Sequence, residues 1–186
     1  MLTFRSLATR SVLGGCLAAV LLASAAHAAL PMNSHAPDFT LPATQGGNSF
    51  TFSLADALKK GPVVLYFYPA AFTPGCTIEA HDFAEAMDQF HALGATVIGV
   101  SMDELDKLKK FSTSECRSRF AVAADTKGTV ASLYDVRSPG DNHAARVSYV
   151  IAPDGHVILS YQNRQPDLHV EKALATVSAW KKAPPQ

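Results

Sequence analysis

Cys76 is the residue in this chain best placed to do chemistry. It follows an apolar, β-branched and aromatic run over residues 63–68, bounded by Gly61-Pro62 and by Pro69. Such a run predicts a buried central strand. Ile78, Phe83, Ala86, Met87 and Phe90 then recur at helical spacing, which predicts a helix over residues 73–93 with Cys76 in its first turn. A helix first turn presents unpaired N–H groups and the positive end of the dipole. Both favour a thiolate, the reactive form of cysteine. Cys76 is therefore a candidate nucleophile. The alternative is a small buried apolar side chain, which is what most free cysteines are. Position alone does not separate the two.

The elements that must hold this cysteine alternate along the chain. Residues 38–41 and 49–52 flank Gln45-Gly-Gly-Asn48 and predict an N-terminal hairpin. Ser53 is placed to cap a short helix over residues 54–60. After the Cys76 helix, Gly94 is the stop and residues 95–101 form a second buried strand. A strand–helix–strand unit of this kind implies parallel pairing with a right-handed crossover. Residues 103–119 predict a helix, with Leu105, Leu108 and Phe111 inward and Lys107, Lys109 and Lys110 in solvent. A short strand (120–124), a short helix within 125–134 and a turn cluster (138–142) follow. Strands 146–151 and 156–161 surround Pro153-Asp-Gly155, and an amphipathic helix over 166–182 closes the chain. The class is α/β, a central mixed sheet flanked by helices.

Composition bounds the partners. The chain has 186 residues with 16 Lys+Arg and 16 Asp+Glu, and no basic patch, which excludes nucleic acid as an expected partner. Residues 1–28 carry Arg5 and Arg10, an uncharged apolar stretch and Ala26-His27-Ala28. This is the pattern of a cleavable signal peptide. It predicts a domain over 29–186, periplasmic or secreted, free of the membrane after cleavage; an uncleaved anchor is the alternative. Cys16 lies inside the apolar run, with too little hydrophobic chain before it for a lipidation box. The remaining thiols are Cys76 and Cys116, and two thiols in an exported protein invite a disulfide reading. The histidines show no ligand spacing and no Gly-rich phosphate loop is present. No metal or cofactor is expected.

Pro69-Ala-Ala-Phe-Thr73-Pro-Gly-Cys76 resembles the Pro-x-x-x-Thr-x-x-Cys motif of the peroxiredoxins. The longer form Tyr-Pro-x-x-x-Thr-Pro-Gly-Cys-Thr-x-Glu-Ala is similar to the PrxQ, or bacterioferritin comigratory protein, subgroup. The resemblance runs from Ala36-Pro-Asp-Phe-Thr-Leu41 to the C-terminal helix. It implies a thioredoxin-like fold and a thiol peroxidase reducing hydrogen peroxide and small organic hydroperoxides. A thioredoxin-like or other thiol would be the reductant, and the protein a monomer or weak dimer.

The implied chemistry assigns roles. A thiolate at Cys76 attacks one peroxide oxygen and becomes a sulfenic acid. Arg146 matches the family arginine beside the sulfur; otherwise it is an exposed strand-end residue. Thr73 would aim its hydroxyl at the sulfur or the peroxide, cap the helix, or do both. Pro69 would shield the pocket and shape the turn, or simply end the strand. Glu79 would orient Arg146, or serve as a favourable first-turn acid. Many PrxQ proteins carry a resolving cysteine five residues after the first; His81 stands there instead. That leaves Cys116, on the helix after the second strand, as the expected resolver through a Cys76–Cys116 disulfide. The alternative is a one-cysteine enzyme with an external thiol. Two other readings use the same thiol. A disulfide exchanger is disfavoured because Cys-x-x-Cys is absent. A redox sensor is separated from an enzyme by turnover.

Overall fold

A computed structural model describes residues 29–183; the expected leader lies outside them. The centre is β3 (Val63–Phe67), every residue of which is buried. It pairs in parallel with β4 (Thr96–Ser101), which pairs in parallel with β5 (Ala121–Ala124). On its other side β3 pairs antiparallel with β6 (Val147–Ile151), and β6 with β7 (Val157–Gln162). The hairpin β1 (Thr40–Gln45) and β2 (Asn48–Ser53) extends the β5 edge. The seven strands run β2-β1-β5-β4-β3-β6-β7, the expected mixed sheet with an N-terminal hairpin.

Alternation along β3 divides the interior. Val63, Leu65 and Phe67 face a core shared with α1 (Leu54–Leu58) and α4 (Thr129–Leu133). Val64 and Tyr66 face α2 (Pro74–Ala92), α3 (Leu105–Ser114) and α5 (His169–Lys182). Helix α2 buries Ala80, Phe83, Ala84, Met87 and Phe90 against the sheet. Phe83 stacks on Tyr66 with centroids 4.4 Å apart, and burying a ring of that size contributes about 2–3 kcal/mol. Tyr66 lies so flat over β4 that a Cβ on Gly99 would come within 2.6 Å of its ring. Glycine is there for close approach.

The caps follow the chemistry of their residues. Ser53 Oγ accepts from Asp56 N at 3.2 Å and starts α1. Pro74 occupies the first turn of α2, where a missing N–H costs nothing. Gly94, at φ +76°, ends that helix, its N–H bonding His91 O.

Helix α3 is shorter than the expected 103–119. It starts at Leu105, because Asp103 is drawn to other partners. It ends at Ser114, and Cys116 lies beyond it rather than on it. The Thr113 and Ser114 hydroxyls donate back to Lys109 O and Lys110 O, a competition that weakens a last turn. Cys116 N closes on Phe111 O, and Arg117 and Ser118 take left-handed φ of +49° and +58°. Residues 115–119 form a strap laid along α2, with a Glu115–His81 hydrogen bond and the ion pairs Arg117–Glu85 and Arg119–Asp88.

Candidate active site

The site is built where β3 runs into α2. After Tyr68 the chain turns through Pro69, half-buried and without a donor, and β3 stops. Asp103, just past β4, fastens the turn: its carboxylate accepts from Ala71 N at 2.7 Å and from Ser101 Oγ at 2.9 Å. Phe72 is held at φ +68° with its ring edge-on to Phe111. A left-handed aromatic residue is a strained conformation that its surroundings must enforce. This strained step points residues 73–76 into the first turn of α2.

Cys76 is 1% exposed at the start of α2. Arg146, 7% exposed and immediately before β6, directs Nη2 at its sulfur, 3.4 Å away. The same guanidinium donates Nη1–H to Glu79 Oε2 and Nε–H to Arg164 O at 3.1 Å. Three acceptors, two on α2 and one on the segment after β7, thus fix one planar cation. Gly75 leaves room for it, since a Cβ there would lie 3.1 Å from Nη2. Arg146 is therefore not an exposed strand end. Glu79, with no exposed surface, is not a solvent-facing first-turn acid.

Thr73 occupies the N-cap position, but its hydroxyl donates to Ala70 O at 3.0 Å and caps nothing on α2. In this state it is turned to Ala70 rather than to the sulfur. Cys116 is fully buried, and burial pushes its thiol well above the usual range. Both cysteines are free. They share the core that contains Tyr66 and Tyr68.

Three contributors were not read from the sequence. The sequence pattern puts Asp103 at a helix start, whereas its carboxylate fastens the turn before α2. His169, at the start of α5, is fully buried with Nδ1 2.8 Å from Ser148 Oγ and 3.6 Å from Glu79 Oε1. Arg164 contributes only its carbonyl, which carries no sequence signal. A cavity of about 430 Å³ lies at the far end of α2, by Lys60, His91 and Arg119, and does not reach Cys76.

The whole arrangement sets one buried sulfur against one cation at a helix start. Residues 32–160 match the model of the AhpC/TSA family. The chain belongs to that family. It is 32% identical over 154 residues to peroxiredoxin Bcp of Bacillus subtilis, covering 80% of this chain and 95% of the relative. It is 36% identical over 152 residues to the chloroplastic peroxiredoxin Q of Gentiana triflora, covering 74% and 62%. Among solved structures, peroxidoxin BcpB from Mycobacterium tuberculosis superposes with a TM-score of 0.73 at 35% identity, over 80% of this chain and 96% of that one. The AhpC/TSA chain described here is a peroxiredoxin with a thioredoxin-like fold, and its activity is that of a thiol-dependent peroxidase.

Proposed function

We propose that Cys76 is the attacking thiol and that Arg146 is the cation that supports it. The observation carrying this is the 3.4 Å contact between Arg146 Nη2 and Cys76 Sγ. In the first step the Cys76 sulfur gives an electron pair to one peroxide oxygen, the S–O bond forms and the O–O bond breaks. The displaced alkoxide or hydroxide takes a proton, and Cys76 is left as a sulfenic acid. Arg146 can share its charge between the sulfur and the leaving oxygen as the negative charge moves from one to the other. Thr73, on the exposed side of the first turn, has only to rotate its hydroxyl from Ala70 toward a bound peroxide. Pro69 closes the other side of the turn. Glu79 orients Arg146 from below.

Resolution by Cys116 is the second part of the reading. Its support is that Cys116 is the remaining thiol of residues 29–186 and lies in the same core as Cys76. A buried protonated thiol is a poor nucleophile. The step therefore requires the 115–119 strap and the first turn of α2 to open, so that the two Cα atoms come within about 7 Å. A thioredoxin-like thiol would then reduce the disulfide. The test is the intact mass of the mature protein after an equimolar amount of hydrogen peroxide, for wild type and Cys116→Ser. Wild type is expected to lose both thiol hydrogens, and the variant to gain oxygen at Cys76. An oxygen adduct in both would retire Cys116 as resolver.

We also propose that the chain acts in the periplasm or outside the cell, after loss of residues 1–28. The support is the Arg5/Arg10 start, the uncharged stretch and Ala26-His27-Ala28. N-terminal sequencing of the protein recovered from the periplasm is expected to begin at Ala29. Recovery from the cytoplasm with Met1 in place would refute it.

A further inference from the structure

At the end of α2 remote from Cys76, the seam between β1 and β5 is short. The two strands are paired at Ala43–Ala123 and Thr44–Val122. The next residues in that register, Gln45 and Ala121, instead line a cavity of about 430 Å³. Its walls are β2, the end of α1, the last turn of α2 and the starts of β4 and β5. The volume falls in the range of about 300–1,000 Å³ in which proteins hold small molecules. No lining residue belongs to the peroxidase site.

Part of the lining is apolar. Phe50 is 44% exposed, an aromatic ring left in water at the cavity wall. Met87 and Phe120, members of the core under α2, extend that surface. Apolar surface of this kind gains from being covered. The other part is cationic. Lys60 from α1, His91 from α2 and Arg119 from the strap come to the same cavity. Lys60 makes no ion pair among the described residues. Arg119 pairs with Asp88, whose side chain is 85% exposed; a pair so screened by water is easily exchanged. The acid in the lining is Asp56, and Lys59 already holds it. The cavity therefore has one uncommitted cation and a second that is open to exchange.

A ligand that answers both parts has one negative charge and an apolar body. One charge is what Lys60 leaves unmet. A dianion or an acidic peptide would bring more negative charge than the cavity can match. A guanidinium takes a carboxylate through two parallel N–H bonds, and the His91 ring can donate a third. We propose that this cavity is a binding site for a small monocarboxylate with an alkyl or aryl body. The carboxylate lies between Lys60 and Arg119, and the body covers Phe50. The ligand and Asp88 then compete for Arg119. The site stands apart from the reading of Cys76 and Arg146 given above.

Amide NMR spectra of the isotope-labelled protein, titrated with octanoate, read the site directly. Saturable shifts are expected at Phe50, Thr96 and Phe120, with a dissociation constant on the order of 10⁻⁴ M. Acetate lacks the body and octanol lacks the charge, and each should bind about tenfold more weakly. Lys60→Gln and Arg119→Gln should each weaken octanoate about fivefold and leave octanol unchanged. Asp88→Asn frees Arg119 and should tighten octanoate, a change that damage to the strap would not produce. Absence of saturable shifts at these residues would overturn the proposal. So would octanol binding as tightly as octanoate, Lys60→Gln matching wild type, or Asp88→Asn weakening octanoate as Arg119→Gln does. Shifts at the same residues that grow with protein concentration alone would put a second copy of the chain on this face, and would overturn it too.

Discussion

Cys76→Ser should reduce peroxide consumption to the uncatalysed background, a fall of about 10⁴–10⁶-fold on the scale of nucleophile removals in other enzymes. The reaction needs an atom that can give up an electron pair to an O–O bond and keep the oxygen. Sulfur does this and forms a sulfenic acid; a hydroxyl oxygen in the same place has no equivalent product. The described residues offer no substitute. Cys116 is fully buried and its thiol is pushed further toward the protonated form, which suppresses attack on peroxide. Stopped-flow mixing with hydrogen peroxide measures the rate. The substitution changes one atom at a site already closed to solvent, so folding should be retained and circular dichroism should match wild type. If Cys76→Ser kept its activity and Cys116→Ser lost it, the two roles would have to be exchanged.

Arg146→Gln should slow the same reaction about 10²–10³-fold at neutral pH, the scale set by removing one preorganised donor from a developing anion. The lost cation acts at both ends of the reaction. Before attack it favours ionised sulfur from 3.4 Å. During attack it meets charge moving to the leaving oxygen. Circular dichroism matching wild type separates this loss from a loosened fold. Arg146→Lys should recover little, because one ammonium on a flexible stem cannot serve Cys76, Glu79 and the Arg164 carbonyl together. A variant within a few-fold of wild type at neutral pH would remove Arg146 from the chemistry.

The parts of this molecule legible in its sequence are those written in local pattern. The run over residues 63–68 is apolar on both faces, which happens only in a strand covered on both sides, and β3 is that strand. Pro69, Thr73 and Cys76 are close in sequence, so one turn can place them and one motif can find them. Arg146 is distant, and only the resemblance to the peroxiredoxins connected it to Cys76. His169 and Ser148 carried no such mark. A lone histidine at a helix start looks like any other until packing of α5 on α2 puts Nδ1 opposite Glu79. Asp103 was misread because an acid before a lysine-rich amphipathic stretch is also a common helix beginning. Here its carboxylate bonds the Ala71 amide across the sheet end. The end of α3 was misread for a related reason. The apolar stripe stops at Phe111, and nothing in residues 112–119 announces the left-handed steps at Arg117 and Ser118.

The strap that carries Cys116 acts, under the proposed cycle, as a clock. The sulfenic acid lasts until the strap and the first turn of α2 have parted, and each kcal/mol that holds them together lengthens that wait about fivefold. During the wait a second peroxide can add another oxygen and take Cys76 to the sulfinic acid, from which thiols do not return it. Under that cycle the packing of Cys116 beside Tyr66 and Tyr68, with the Glu115–His81 hydrogen bond and the ion pairs from residues 117 and 119 to α2, would set the oxidant dose the protein survives. A tighter core would then give a more stable fold and a peroxidase that burns out sooner.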